Sequence, residues 1–284
     1  MSEVIATPVP APAPPVRQAK YIVISMDLEA TGLKIHAPPE KRDQITEIGA
    51  AGGVIYEDST EDNLVFDLFS KPFNQLTKTD RVISAKVQHI TKINQQVLQE
   101  KKAIDLGPAF ALFAQYIIDV CNQFPPSVPR VLIAHNGKKF DIPMFVAELE
   151  RCSIPASKYM QRLRFTYLLD SLLLSRDVVD RTLLPRDEQG LPSFGLGDIY
   201  KSICKRPLEG YHGALADCTA VLHLLLNYSC FWKPFLHDLT LSEPKYSFNL
   251  MKLVDESIPK KIAPKDTASK PAKRVRTIDQ FFHA

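Results

Sequence analysis

No stretch of the 284-residue chain is apolar for long enough to span a bilayer, so a membrane is not an expected partner. The N-terminus lacks the basic segment and apolar core of a signal peptide, and its Pro- and Ala-rich run carries too few basic residues for a transit peptide. The cysteines, at 121, 152, 204, 218 and 230, are odd in number and contain no Cys-x-x-Cys pair. This argues against a disulfide framework or a zinc site and points to reduced thiols in a nuclear or cytoplasmic protein. There is no internal repeat, and no strong excess of charge of either sign. The net charge of +3 is unevenly placed: from Ser257 to Ala284 seven Lys and Arg stand against two Asp, which is +5, and +3 minus +5 leaves −2 for the rest. A nucleic acid bound to such a body is held by metal and local contacts, not by a basic field.

What is present is ordinary soluble-domain material, 45% hydrophobic and 24% charged. Residues 1–19, rich in Pro and Ala, read as an extended, unfolded leader. Residues 20–256 read as one domain, and residues 257–284 as a basic tail that cannot build a core. Apolar runs predict strands over 21–28, 45–56 and 64–70, the last ended by Pro72, as an antiparallel meander. Further strands are expected over 131–134 and 165–169. Helical periodicity predicts helices from an Asp80 cap to about Ile90, and over 108–121, 142–152, 171–180, 196–204 and 215–229. An aromatic segment from Phe231 to Glu256 is expected to pack onto this body, with Trp232 and His223 in its interior. The order gives an α/β fold: a mixed sheet with helices on both faces.

The chemistry-bearing residues sit at strand ends and helix starts. Asp27 and Glu29 follow the run Tyr21–Met26 and, two apart on a strand, point to one face. Asp141 opens a helix just past the strand that ends in Ala134-His135-Asn136-Gly137, and Asp217 lies five residues after His212. Each has a plain structural reading when taken alone: an exposed acidic strand end, a helix cap, a first-turn acid, a loop histidine. Asp170 is expected to cap the helix that follows it. Four carboxylates gathered in one place repel one another, and a divalent cation removes that objection. Four acids and one histidine suit two Mg²⁺ ions, with Mn²⁺ as a substitute, together with a general base for phosphodiester cleavage.

The stretches Asp27-Leu28-Glu29-Ala30-Thr31-Gly32, Ala134-His135-Asn136-Gly137 to Phe140-Asp141, and His212 to Asp217 resemble the three motifs of the DnaQ-like DEDDh 3′–5′ exonucleases. Gln44–Ala50 is similar to that superfamily's second strand. The wording from His135 to Leu149, and Phe194-Gly195-Leu196-Gly197-Asp198-Ile199-Tyr200, resembles the TREX-like branch. The resemblance covers about 21–228 and implies an RNase H-like fold with a mixed five-stranded sheet. It implies that Asp27 bridges two metal ions, that Glu29 and Asp217 hold the one that activates water, that Asp141 holds the second, and that His212 is the general base. It further implies that Leu28, Ala30, Thr31 and Leu33 line the 3′-terminal nucleotide, that His89 of a His-Ile-Thr element contacts substrate, and that Asn136 reaches the terminal phosphate.

The end of the chain, Val275 to Phe282, resembles the peptide that docks on sliding clamps such as PCNA, with Ile278, Phe281 and Phe282 as its anchors. A metal-dependent exonuclease releasing mononucleotides from DNA 3′ ends, tethered to a clamp in replication or repair, is therefore the expected function. An exoribonuclease of the same fold is the first alternative. A non-catalytic nucleic-acid or clamp-binding adaptor is the second, although an adaptor has no need of mutually repelling carboxylates.

Overall fold

The computed structural model describes residues 17–59 and 63–258. Seven strands and ten α-helices run in chain order: β1 (Ala19–Ala30), β2 (Ile45–Tyr56), β3 (Phe66–Leu68), β4 (Phe73–Leu76), α1 (Ala85–Thr91), α2 (Gln95–Glu100), α3 (Leu106–Cys121), β5 (Arg130–Ala134), α4 (Asp141–Arg151), α5 (Ala156–Leu163), β6 (Phe165–Asp170), α6 (Ser171–Val178), α7 (Leu196–Cys204), α8 (Ala214–Asn227), α9 (Ser229–Asp238), β7 (Ser247–Asn249) and α10 (Leu250–Ser257). All the strands join one mixed sheet in the order β3-β2-β1-β5-β6-β7, with β4 also on β2. β1, β5 and β6 are parallel to one another, whereas β2 and β7 run antiparallel to their neighbours.

The sheet has seven strands where five were expected, and the additions sit at its two edges. β3 and β4 share the outer side of β2, pairing with Gly53–Ile55 and Glu47–Ala50 respectively. Pro72 separates these two short strands instead of ending the meander. β7 is too short to show a period in the sequence. Asp80 does not cap α1; Ser84 does, accepting from the Val87 N–H. Asp80 instead accepts from the Gln44 side chain at 2.7 Å. Ala19, expected as the last residue of the leader, is the first residue of β1, and residues 1–16 of that leader lie outside the described residues.

Strand alternation sorts the core into two layers. On β1, Ile22, Ile24, Met26 and Leu28 face a layer built with α3, α4, α5 and α10. Val23 faces the other layer, with Val131, Ile133 and residues of α6, α7, α8 and α9. In the first layer Phe110, Phe113 and Phe145 are fully buried and meet edge to face. Burying each such ring contributes about 1.5–3 kcal/mol. α3 supplies two of them because its apolar residues recur at helical spacing, Leu106, Phe110, Phe113 and Ile117. Trp232 is buried as expected. His223 contacts the Cys204 thiol through Nδ1 at 3.7 Å. Among the described residues no single helix is long and apolar enough to cross a membrane.

The alternation that sends Met26 and Leu28 into the first layer sends Asp27 and Glu29 to the face covered by α8. β2 makes room for that helix. Gly49 lies opposite Asp27 in the ladder, and a Cβ there would come within 2.4 Å of the Ala214 carbonyl carbon. A side chain at 49 would therefore lift the start of α8 off the sheet.

Candidate active site

Five carboxylates and one imidazole are brought together where β1 ends and α4 and α8 begin. Asp27 and Glu29 project from the end of β1 and keep a partial opening to solvent. Asp141, the first residue of α4, and Asp217, in the first turn of α8, are buried. His212 lies in the loop ahead of α8, and its backbone N–H donates to Asp217 Oδ1 at 3.2 Å. Ligand atoms of Glu29, His212 and Asp217 all lie within 4.8 Å of one another.

The electrostatics of the cluster are those of crowded anions. Burial raises Asp27 well above the usual carboxylate range, and the charges of Asp141, Asp217, Glu29 and Glu47 push it further in the same direction. Glu29 is pushed up to about 9 by burial and then by Asp217, Glu47 and Asp141. Burial raises Asp141 to about 8 against the opposing pull of its own N–H and that of Leu28. Asp217 rises to about 7, again mainly through burial, with the His212 N–H pulling it back. Neither oxygen of Asp141 has a hydrogen-bond partner of acceptable geometry. A buried carboxyl with two unpartnered oxygens, beside three other raised carboxyls, is poorly satisfied by protein alone. That donor set fits a hard divalent cation, which takes carboxylate oxygen and lowers every one of these pKa values. Burial lowers the pKa of His212 below its ordinary value, which keeps the ring neutral near pH 7.

The fifth carboxylate, Glu47, was missed as a site residue in the sequence. It stands opposite Glu29 on β2 and is only 8% exposed. One oxygen accepts from the Ala214 N–H at 3.0 Å and the other from the Asn74 side chain at 2.9 Å. Glu47 and Gly49, on the same face of β2, thus seat the first turn of α8, and with it Asp217. The available signal was an acid two residues before that glycine, inside an otherwise apolar run.

Asp170 caps α6 as expected, accepting from the Leu172 and Leu173 N–H groups. It also accepts from the backbone N–H groups of Asn136 and Lys138, at 3.2 and 3.1 Å. Those bonds hold the turn leading to Asp141, in which Asn136 adopts a left-handed φ of 66°. His135 is fixed at both nitrogens, 3.1 Å from Ser171 Oγ and 3.0 Å from the Phe194 carbonyl. The carbonyl can only accept, so Nε2 carries the proton and Nδ1 accepts from the hydroxyl.

The other expected contact residues separate into groups. Leu28 and Ala30 belong to the first core layer, so only their backbone can face the cleft; the two-residue period that aims Asp27 and Glu29 at α8 turns these two away. Thr31 is buried, with its hydroxyl donating to Asp43 at 2.9 Å and accepting from the Gln44 N–H at 3.1 Å. Leu33 is 79% exposed on the loop beyond. His89 is exposed on α1 and is not brought into the acid cluster. Ile278, Phe281 and Phe282 lie outside the described residues.

The Exonuclease family RNase_T matches residues 24–225, a span that includes all five acids and His212. The chain belongs to the RNase_T exonuclease family. Within it, the chain is 27% identical to human three-prime repair exonuclease 1 over 106 residues, 37% of this chain and 30% of that protein. Escherichia coli exonuclease I in complex with a dT13 oligonucleotide superposes with a TM-score of 0.53 at 21% identity, over 77% of this chain and 44% of that one. A zinc-bound complex of the same enzyme with single-stranded DNA gives 0.50 at 19% identity, over 77% and 43%. These likenesses establish the RNase H-like exonuclease fold. The chain spans less than half the length of each of these relatives.

Proposed function

We propose that this RNase_T-family chain is a metal-dependent 3′–5′ exonuclease of the TREX-like branch, hydrolysing the terminal phosphodiester of DNA and releasing nucleoside monophosphates. The observation that carries the proposal is the convergence of Asp27, Glu29, Asp141 and Asp217, all with raised pKa values, around a neutral His212.

Asp27, Glu29, Asp141 and Asp217 would hold two Mg²⁺ ions, or Mn²⁺ in their place. Bound there, the ions would polarise the scissile phosphate and make the attacking water more acidic. His212 removes the proton from that water through an unprotonated ring nitrogen, a task suited to an imidazole kept neutral by burial. Leu33, exposed beyond β1, lies against the 3′-terminal base, while the backbone of Leu28, Ala30 and Thr31 allows close approach of the sugar. Asn136 reaches the terminal phosphate, and His89 a more distant nucleotide. The relatives' DNA ligands support DNA as the substrate. The tail peptide at 275–282 would tether the enzyme to a sliding clamp in the nucleus and raise its effective concentration at 3′ ends.

The deciding experiment follows 5′-labelled single-stranded DNA and RNA side by side, with Mg²⁺ and with EDTA. Stepwise shortening of the DNA from its 3′ end, abolished by EDTA and by Asp27→Ala, is the expected result. Internal cuts or release from the 5′ end refute the polarity. A marked preference for RNA selects the exoribonuclease reading, and an intact oligonucleotide throughout selects the adaptor.

A further inference from the structure

The His212 backbone is held more firmly than its ring. The residue takes a left-handed φ of 65°, a conformation that persists in a non-glycine residue only where the surroundings impose it. Its N–H is tied to Asp217. Among the described residues no side chain hydrogen-bonds the imidazole. A general base is ordinarily oriented by a partner on its second nitrogen. Among the described residues no such partner is present, and an aromatic face takes its place. The Tyr211 ring stacks on His212 with centroids 3.7 Å apart and planes 28° from parallel.

Tyr211, 36% exposed, also packs on the first turn of α7, where a Cβ on Gly197 would sit 2.7 Å from Tyr211 Cε1 and 2.9 Å from Cδ1 and Cζ. One at Gly195 would sit 3.5 Å from the hydroxyl oxygen. α7 has glycine as its N-cap and no side-chain cap bond. That turn is anchored to the catalytic face of the sheet, because the Phe194 carbonyl accepts from His135 Nε2. The lack of a side chain at Gly197 therefore lets the Tyr211 ring lie against the α7 backbone.

We infer that Tyr211 is a positioning residue, which fixes the plane of the His212 ring from the platform that Gly197 leaves open on α7. The inference rests on the reading of His212 as general base. It makes the start of α7, which contributes no acid to the cluster, part of the apparatus that aims the proton acceptor.

The test combines single-turnover cleavage of a DNA oligonucleotide, its affinity measured with Ca²⁺ in place of Mg²⁺, and the chemical shifts of the His212 ring protons. Tyr211→Ala should slow cleavage roughly 10- to 100-fold, the scale of a misplaced reacting group. Affinity should stay within about twofold, and the upfield ring-current shift of His212 should disappear. Tyr211→Phe, which keeps the ring, should restore most of the rate and the shift. Gly197→Ala should slow cleavage about as much as Tyr211→Ala, and the double variant should be no slower, because both remove one stack. Unchanged melting temperatures are required of each variant, and Gly197→Ala gives an independent route should Tyr211→Ala fold poorly. Weakened affinity with an unchanged rate would make Tyr211 a stacking platform for a nucleobase and overturn the inference. A wild-type rate for Tyr211→Ala with His212→Ala inactive overturns the positioning alone. A wild-type rate for His212→Ala overturns the base reading, and the inference with it, even with the ring-current shift in place.

Discussion

Stripped of divalent cations, the protein should lose stability as the pH rises through neutrality, the reverse of ordinary acid denaturation. Asp217, Asp141 and Glu29 have folded pKa values of about 7, 8 and 9, against ordinary values of 3.8, 3.8 and 4.5. A carboxyl whose folded pKa lies above its unfolded one keeps its proton longer when folded. Its favourable contribution is complete below the unfolded pKa and is lost as the pH climbs to the folded one. For Asp217 the window runs from about 3.8 to about 7. Between about pH 5 and pH 7, at about 1.4 kcal/mol per pH unit, that one group removes roughly 2 kcal/mol. For a domain of this size that is a fall of roughly 4–8 °C in Tm. Asp141 and Glu29 add their own losses over the same interval, so the fall from Asp217 is a lower bound, and they extend the decline to about pH 8 and 9. Mg²⁺ or Mn²⁺ at about a hundred times its Kd should add back about 2.7 kcal/mol. The increment should grow with pH, because protons and metal compete for the same oxygens. Differential scanning fluorimetry of EDTA-treated protein, with and without Mn²⁺ across this range, reads both slopes, and Asp217→Asn should make the metal-free one shallower, with the remainder carried by Asp141 and Glu29. A metal-free Tm that is level from about pH 5 to 8, or a metal increment independent of pH, would refute the argument that these acids are held protonated by one another and by burial.

Gly49→Ala should separate α8 from β2, because the new methyl group would overlap the Ala214 backbone. The expected loss is about 1–3 kcal/mol by urea titration, with exonuclease activity down about 100-fold as Asp217 moves away from Asp27. Asp170→Ala leaves the N–H groups of Asn136, Lys138 and Leu172 without their acceptor, and should cost roughly 2–4 kcal/mol and reduce activity through the turn that carries Asp141. Phe281→Ala with Phe282→Ala should abolish capture by an immobilised sliding clamp and leave cleavage of naked oligonucleotides unchanged; persistent capture removes the docking-peptide reading.

Much of the site was legible because its residues mark local punctuation. Asp27 and Glu29 end an apolar run, Asp141 and Asp217 open helices, and the sheet gathers strand ends and helix starts along one edge. The sheet with helices on both faces followed from the order of the apolar runs and the helical segments. What escaped was set by contacts remote in sequence. Glu47 acquires its role only when Ala214, 167 residues later, docks beside it. The stack of Tyr211 on Gly197 requires α7 and the loop before α8 to meet. For Leu28 and Ala30 the period of the strand assigns the side chains to the core, which leaves their backbone as the part that can face a substrate. The short edge strands β4 and β7 are defined by their partners on β2 and β6 more than by any pattern of their own.

The matched family segment ends at residue 225, but the folding unit does not. Beyond it, Phe231 and Phe235 fill the second core layer, and Leu250, Leu253 and Val254 fill the first. β7 closes the open side of β6, and Phe248 lies beneath the Lys138 ammonium at 3.9 Å, against the turn that leads to Asp141. A chain cut at the family boundary would leave β6 as a bare apolar edge, a template for aggregation. It would also remove the packing of α10 on α4 and α5, where Ser157 donates to Asp255 at 2.8 Å. α10 thus acts as a strap across the helix that starts with Asp141. Any enzyme trimmed for study, or fused at its C-terminus, should keep the chain at least through Ser257.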